Sequence, residues 1–415
     1  MQKLIIEGRN SLFGRVNIGG MKNSALPVIY ATILIKDECT LHNIPNVSDT
    51  VNSLKILREM GATAEFIEQN TVYINTKSLS SEIKCKDLVS KMRASSYLMG
   101  AMLARFGAVE LPMPGGCNFG VRPIDLHLKG FESLGAQVSE NNGEIKIESK
   151  NGLKCEKITL DKISVGATIN MVLASTLLNG VTVIENAAIE PHVDDLIAFL
   201  NKAGAKIMRY GRRIYIVGVS ALHSVSYKIF PDMIEALTYV AFLGASGGKI
   251  ELSNVNIEHL SYSLEIFEEM GFKILRKNDT ISVEAPKILN GVSVETNPYP
   301  LFPTDLHPQL AALLCFAKNG GQIKENIFKT RFAYTDELKK MGAQITVNDG
   351  IATVCHSELC GAALDATDLR AGAALITAAL GAKGISEINN VSYIVRGYEQ
   401  VVEKISSLGG KIKII

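Results

Sequence analysis

REMGATAEF, residues 58–66, decides the fold, because its pattern returns five more times along the chain. An amphipathic stretch ends in Gly, then come a small or apolar residue, a polar residue and an apolar, strand-like run. The phrase recurs as ESLGAQV around Gly135, NKAGAKI around Gly204, EEMGFKI around Gly271, KKMGAQI around Gly342 and SSLGGKI around Gly409. Successive glycines lie roughly 70 residues apart, so six such units account for the whole sequence. Gly directly after a helix-period run fits the left-handed position that ends a helix, after which the chain leaves as a strand.

Working outward, each glycine is preceded by a stretch of helical spacing with one polar face: SDTVNSLKILREM, PIDLHLKGFESL, HVDDLIAFLNKA, HLSYSLEIFEEM, AYTDELKKM and RGYEQVVEKISSL. Every unit carries a second helix of a different kind: KNSALPVIYATILI, RASSYLMGAMLARF, SVGATINMVLASTLL, DMIEALTYVAFLGAS, TDLHPQLAALLCFA and DLRAGAALITAALGA. These are apolar nearly all round and rich in Ala, Gly and Ser, as expected of helices buried on every side. Short strands such as TLHNI, VTVIENA and KIELSNV follow them. The reading is an α/β architecture with helices inside and sheets around them. Three buried helices share one core in each of two domains, and the crossing falls near Lys228 to Asp232.

Composition agrees with large packed cores. Of 415 residues, 47% are hydrophobic and 20% charged, and 43 Lys and Arg balance 42 Asp and Glu to a net charge of +1. No basic field of the kind a dedicated nucleic-acid binder needs is present. The opening MQKLIIEGRN lacks the apolar core of a signal peptide, and no apolar window reaches the roughly 18 residues of a membrane span. The seven cysteines include no CxxC pair and the histidines no HxxxH or HExxH, so neither a disulfide framework nor a metal site is expected. No phosphate-binding GxxxxGK[ST] or GxGxxG follows a strand. A cytoplasmic protein with reduced thiols and no cofactor is the expectation.

The chemistry concentrates at the starts of the buried helices, where free N–H groups and partial positive charge suit anions. Lys22 and Asn23 stand at the first, Arg93 at the second, and Lys162 with Ser164-Val165-Gly166 at the third. Pro231-Asp232 lead the fourth, Thr304-Asp305 the fifth, and Asp368 with Arg370 the sixth. Converging on an interdomain cleft, they would hold a phosphorylated or carboxylated ligand. A second spot is PGGCNFGVRPIDLH, residues 114–127, where Cys117 sits in a Gly-rich loop beside Arg122. A neighbouring guanidinium favours thiolate, which marks Cys117 as the reactive one among the seven cysteines.

Eight segments together resemble the enolpyruvyl transferases over essentially the full length: GGMKNSALP (19–27), KMRAS (91–95), PGGCNFGVRPIDLH (114–127), DKISVGAT (161–168), ENAAIEP (185–191), FPTD (302–305), TDLRAGAAL (367–375) and RGYE (396–399). The Cys-bearing loop is similar to the cell-wall branch of that family and not to its shikimate-pathway sibling. The resemblance implies a two-domain inside-out α/β barrel, with residues 22–229 as one domain and 1–21 plus 230–415 as the other. It implies transfer of the enolpyruvyl group of phosphoenolpyruvate to the 3-hydroxyl of UDP-N-acetylglucosamine with release of phosphate. That is the first committed step of peptidoglycan synthesis, on which cell shape and division depend. It implies no metal or organic cofactor, no nucleic-acid or membrane partner, and a monomer or weak homo-oligomer.

Carried onto matching positions, the resemblance implies that Lys22, Arg122 and Arg396 clamp the anionic groups of phosphoenolpyruvate, with Arg370 beside them, and that Arg93 helps close the site. Asn23, Arg122, Pro123, Ile124, Asp125, Leu126, Lys162, Ile163, Ser164, Val165, Asp305 and Ile327 would hold the nucleotide sugar. Asp305 would accept the sugar hydroxyl proton, and Cys117 would deliver one to the methylene carbon and be open to alkylation by fosfomycin-type epoxides. The sequence departs from the family at Tyr97, where an aromatic, often Trp, is usual. It departs again at PDMIEALTYV (231–240), which carries Met233 and Leu237 against PDRIE-x-G-T, and at KTRFAY (329–334) against ENRFMH. These departures leave open an enolpyruvyl transferase for another uridine nucleotide, or a non-catalytic UDP-sugar-binding paralogue.

Overall fold

In the computed structural model, which describes residues 2–115 and 124–415, all six repeat glycines have positive φ, from 88° at Gly135 to 105° at Gly204. Each closes an amphipathic helix and opens a strand, and the first five strands run on into an antiparallel hairpin, as after Ser48–Glu59 at Thr63–Glu68 or after Ile257–Glu269 at Lys273–Lys277. The sixth amphipathic helix is shorter than its pattern. Only Val401–Ser407 is helical, because Gln400 takes a left-handed φ of 51° and breaks the run. RGYE lies instead in the turn after a short helix, Val391–Ile394.

The described chain divides into two compact units, one of residues 20–115 and 124–230, the other of 2–19 and 231–415. In the first unit the buried helix Tyr97–Phe106 packs against both Lys22–Ala31 and Val165–Ser175. In the second, Met233–Ser246, His307–Leu314 and Leu369–Gly381 pack on one another. Small residues make the approach possible: a Cβ on Gly100 would stand 2.5 Å from the Asn170 carbonyl oxygen.

Each unit carries three sheets built by one rule. The strand after a buried helix takes its own hairpin on one side, antiparallel, and on the other side a short parallel strand from another repeat. Lys157–Thr159 pairs in this way with Val181–Glu185, Ser293–Glu295 with Gly321–Lys324, and Ala363–Asp365 with Ile385–Asn389. The sheet of Ala108–Pro112 has three strands among the described residues. Val225–Lys228 returns to Glu38–His42 and closes the first unit on its first repeat. Leu4–Glu7 lies antiparallel to both Ile385–Asn389 and Lys411–Ile414, so the N-terminal strand completes the last repeat. The fold is mixed α/β.

A clamp recurs that the sequence reading missed. The residue just past the central strand is Asn43, Asn186, Asn254 or Asn390, each left-handed with φ between 55° and 61°, a conformation Asn tolerates better than most residues. Their side-chain amides donate to the carbonyls of Ile229, Leu160, Ile18 and Ala366, at 3.2, 2.8, 2.6 and 3.3 Å. Each acceptor is the first residue past a parallel edge strand, and that segment leads into a buried helix. The clamp therefore fixes the approach to the helix starts, where the chemistry is expected.

Candidate functional site

In the first unit, Lys22 is the first residue of its helix and its ammonium meets the Asp49 carboxylate at 3.2 Å. Asn23 follows, half-buried. Arg93 opens a single 3-10 turn that runs into Tyr97–Phe106, with the departing Tyr97 at the junction. Ser164 caps the third buried helix, its hydroxyl accepting from the Ala167 N–H at 3.3 Å. Val165 is the first helical residue, Ile163 is half-buried and Lys162 is exposed. Ile124 is buried, and Asp125 and Leu126 begin the helix Asp125–Ser133. Cys117, Arg122 and Pro123 lie outside the described residues.

His127, which the sequence reading did not single out, draws three of these segments together. It is 4% exposed, its ring lies against Gly166, where a Cβ would be 2.8 Å from Cε1, and it is within electrostatic reach of Arg93. Asn170 Oδ1 accepts from the Gly100 N–H at 2.8 Å, which leaves its amide nitrogen to donate to His127 Nδ1 at 2.8 Å. Nδ1 is therefore an acceptor and the ring is neutral with its proton on Nε2. Burial, and then the Arg93 charge, lower the imidazole to about 3.

The second unit holds a denser cluster. Asp305 accepts from Arg331 at 2.9 Å and from Arg370 at 3.0 Å, and both guanidiniums are almost wholly buried. Burial alone would raise the Asp305 carboxyl; the Arg370 and Arg331 charges outweigh it and hold the carboxyl well below the usual carboxylate range. Arg370 also donates to the Tyr398 hydroxyl at 3.0 Å, which pairs with Thr238 at 3.0 Å. Gln309 donates to Thr238, Tyr398 and the Asp305 carbonyl, each at 3.1 Å. Arg396 lies two residues before Tyr398, half-buried in the turn.

Asp305 and Arg370 are thus directly paired, and Ile327 is joined to them through Glu325. The Glu325 carboxylate accepts from the Ile327 and Phe328 N–H groups at 2.8 Å each, from the Thr304 hydroxyl at 2.9 Å and from His307 Nδ1 at 3.0 Å. Neither Arg331 nor Glu325 was among the residues read from sequence. Arg331 was in view, since KTRFAY keeps the Arg-Phe of ENRFMH; Glu325 left no signal beyond its place after a strand. The departures at Met233 and Leu237 leave the helix start intact. Asp232 still caps it, accepting from Ile234 and Glu235 N–H at 2.8 and 3.2 Å, and Leu237 is buried in the core. Asp368 caps the sixth helix in the same manner.

Cys39 and Cys315 are buried and pushed up to about 12 by burial. Among the described residues, no group of three or more His, Cys, Asp and Glu could hold a metal ion. No described helix is long and apolar enough to cross a membrane.

Residues 6–405 match the family described as EPSP synthase (3-phosphoshikimate 1-carboxyvinyltransferase). A UDP-N-acetylglucosamine 1-carboxyvinyltransferase of Halothermothrix orenii is 44% identical, over 100% of this chain and 99% of its own. The protein of Thermotoga maritima bearing the same name is 43% identical over the same shares. One of Clostridium acetobutylicum, named UDP-N-acetylglucosamine 1-carboxyvinyltransferase 2, is 42% identical, again over 100% and 99%. Among solved structures, the enolpyruvyl transferase NikO of Streptomyces tendae superposes with a TM-score of 0.90 at 24% identity, covering 100% of this chain and 98% of its own. EPSP synthase of Acinetobacter baumannii does so with a TM-score of 0.75 at 19% identity, covering 100% and 99%. A family match over residues 6–405, together with relatives 42–44% identical over the whole chain, places the chain in the EPSP synthase family of enolpyruvyl transferases.

Proposed function

We infer that this chain is a transferase that moves the enolpyruvyl group of phosphoenolpyruvate to the 3-hydroxyl of UDP-N-acetylglucosamine and releases phosphate, the first committed step of peptidoglycan synthesis. Full-length relatives carrying that activity in their names, at 42–44% identity, support it. The structural observation that carries it is Asp305, a carboxylate held ionised between Arg331 and Arg370 at the entrance to a buried helix. We read the units as the two domains of an inside-out α/β barrel, divided as 22–229 and 1–21 plus 230–415. The active site would lie in the cleft between them. The enzyme would act in the cytoplasm as a monomer or weak homo-oligomer.

The proposed chemistry adds the sugar O–H across the double bond of phosphoenolpyruvate. Oxygen bonds to C2, and a proton from Cys117 reaches the methylene carbon. From the resulting tetrahedral ketal, phosphate leaves C2 and a proton leaves C3, regenerating the double bond. Lys22, Arg122 and Arg396 would hold the phosphate and carboxylate and stabilise charge as it develops. The nucleotide sugar would rest on Asn23, Arg93, the Arg122–Leu126 segment, Lys162–Val165 and Ile327. Asp305 is a weak base while two guanidiniums grip it. An anionic substrate that draws Arg370 toward itself loosens that grip and makes the carboxylate a better proton acceptor.

The test is inorganic phosphate release from phosphoenolpyruvate by the purified protein, with and without UDP-N-acetylglucosamine. Release that requires the sugar nucleotide is expected. Release only with a simpler uridine nucleotide would move the chain to another acceptor, and sugar-nucleotide binding without release would make it a non-catalytic paralogue.

A further inference from the structure

The Asn clamp is absent from two repeats, the second, where Met113 follows the strand Ala108–Pro112, and the fifth. In the fifth unit the residue just past the central strand Gly321–Lys324 is Glu325. By the pattern of Asn43, Asn186, Asn254 and Asn390, an amide there would tie down the first residue past the parallel strand Ser293–Glu295. That residue is Thr296, and its hydroxyl is met by the Asn326 N–H at 2.9 Å. Glu325, 1% exposed, turns its four oxygen lone-pair positions onto the segment that carries Asp305 and onto the turn that carries Ile327.

We propose that Glu325 is a positioning residue for transfer to the nucleotide sugar, holding the Asp305 corner and the Ile327–Phe328 turn in one arrangement. Backbone N–H groups of Ile327 and Phe328 can only donate, so one carboxylate oxygen is committed to the turn. The other oxygen accepts the Thr304 hydroxyl proton. That commitment aims a Thr304 lone pair at Arg331, whose Nη1 donates to Thr304 Oγ1 and to its carbonyl, at 3.1 Å each, and to Asp305 at 2.9 Å. The same oxygen takes His307 Nδ1–H, and the Tyr334 hydroxyl meets His307 Nε2 at 2.7 Å. Tyr334 stands where the family's ENRFMH ends in His, so the far end of this chain of bonds is itself a departure. A neutral amide at position 325 breaks the pattern: its N–H group presents a donor to Thr304 and His307, where an acceptor is required.

The inference rests on the transferase reading above, and the experiment separates the two. Phosphate release and calorimetric UDP-N-acetylglucosamine binding are measured for wild type, Glu325→Gln, Thr304→Val and Thr304→Ser, with melting temperature followed for each. Expected are a kcat lowered about 10- to 100-fold in Glu325→Gln and Thr304→Val, with the KM for phosphoenolpyruvate within about twofold of wild type. Binding of the sugar nucleotide weakens only in Glu325→Gln, and Thr304→Ser, which keeps the hydroxyl, restores kcat. Glu325→Gln and Thr304→Val that both keep wild-type kcat overturn the proposal. So does a loss that Thr304→Ser shares and that follows melting temperature. A wild type that binds the sugar nucleotide and releases no phosphate refutes the transferase reading, and Glu325→Gln binding as tightly as that wild type then refutes the positioning role as well.

Discussion

The neutral His127 makes acid sensitivity a direct reading of the site's geometry. Its folded-state value of about 3 lies below the unfolded value of 6.5, because burial and then the Arg93 charge oppose a second ring proton, on an imidazole whose Nδ1 already accepts from Asn170. A depressed value means that stability is complete above about pH 6.5 and is withdrawn as pH falls toward 3, since the unfolded chain binds the proton first. At pH 5 the unfolded histidine is almost fully protonated and the folded one is not. From the two values the linkage amounts to about 2 kcal/mol, against nearly zero at pH 7.5. The perturbation is His127→Gln, which fills part of the space and cannot titrate. Urea unfolding of both proteins at pH 7.5 and pH 5 gives the difference in stability at each. The variant is less stable at pH 7.5, and the gap should narrow by about 2 kcal/mol at pH 5. A gap independent of pH would show that His127 is protonated in the folded protein, and the assignment of Asn170 as its donor would fall with it.

Removing one of the two cations on Asp305 raises that carboxyl, so in Arg331→Gln the acid limb of the kcat profile should move to higher pH; an unmoved limb would take Asp305 out of the rate-determining proton transfer. Gly100→Ala places a Cβ 2.5 Å from a backbone carbonyl of the facing helix and should cost about 2 to 3 kcal/mol in urea unfolding. Asn254→Ala removes the 2.6 Å bond to Ile18 together with a residue suited to φ 55°, and about 1 to 2 kcal/mol should be lost. Epoxides of the fosfomycin type should alkylate Cys117 and stop turnover, and Cys117→Asp should stay active and unmodified; mass spectrometry that finds the adduct on another cysteine would remove Cys117 from the chemistry.

The legible part of this fold was backbone conformation. A Gly forced to φ near 100° at the end of an amphipathic helix leaves the same mark each time, and six marks suffice to count the repeats. The all-round apolar helices were legible for a similar reason, since a segment with no polar face has no surface on which to lie. The Asn clamps, present in four of the six repeats, went unread because Asn after a strand is also an ordinary turn signal; only the shared acceptor position past the parallel strand distinguishes them. The sixth amphipathic helix was overdrawn because helical spacing continues through RGYEQ while Gln400 turns left-handed.

At the site, the residues legible in sequence were those at helix starts, where a cation or a small polar residue has a physical reason to stand. Asp305 and Arg370 belong to that class, and the structure pairs them at 3.0 Å. Arg331, Glu325, Tyr398 and His127 belong to another: their partners are distant in sequence, and a buried polar residue becomes meaningful only when its partner is known. This difference bears on where the family departures act. Met233 leaves the Asp232 cap in place and Leu237 packs into the core, so neither removes a bond of the ionic cluster. Tyr334 touches it, through His307 and Glu325, on the side of the turn that carries Ile327. A difference from the family pattern in handling the sugar nucleotide should therefore originate at position 334 and not at 233 or 237. Exchanging Tyr334→His should alter the KM for the sugar nucleotide while Met233→Arg leaves it unchanged, and the reverse result would return the departures to the helix start.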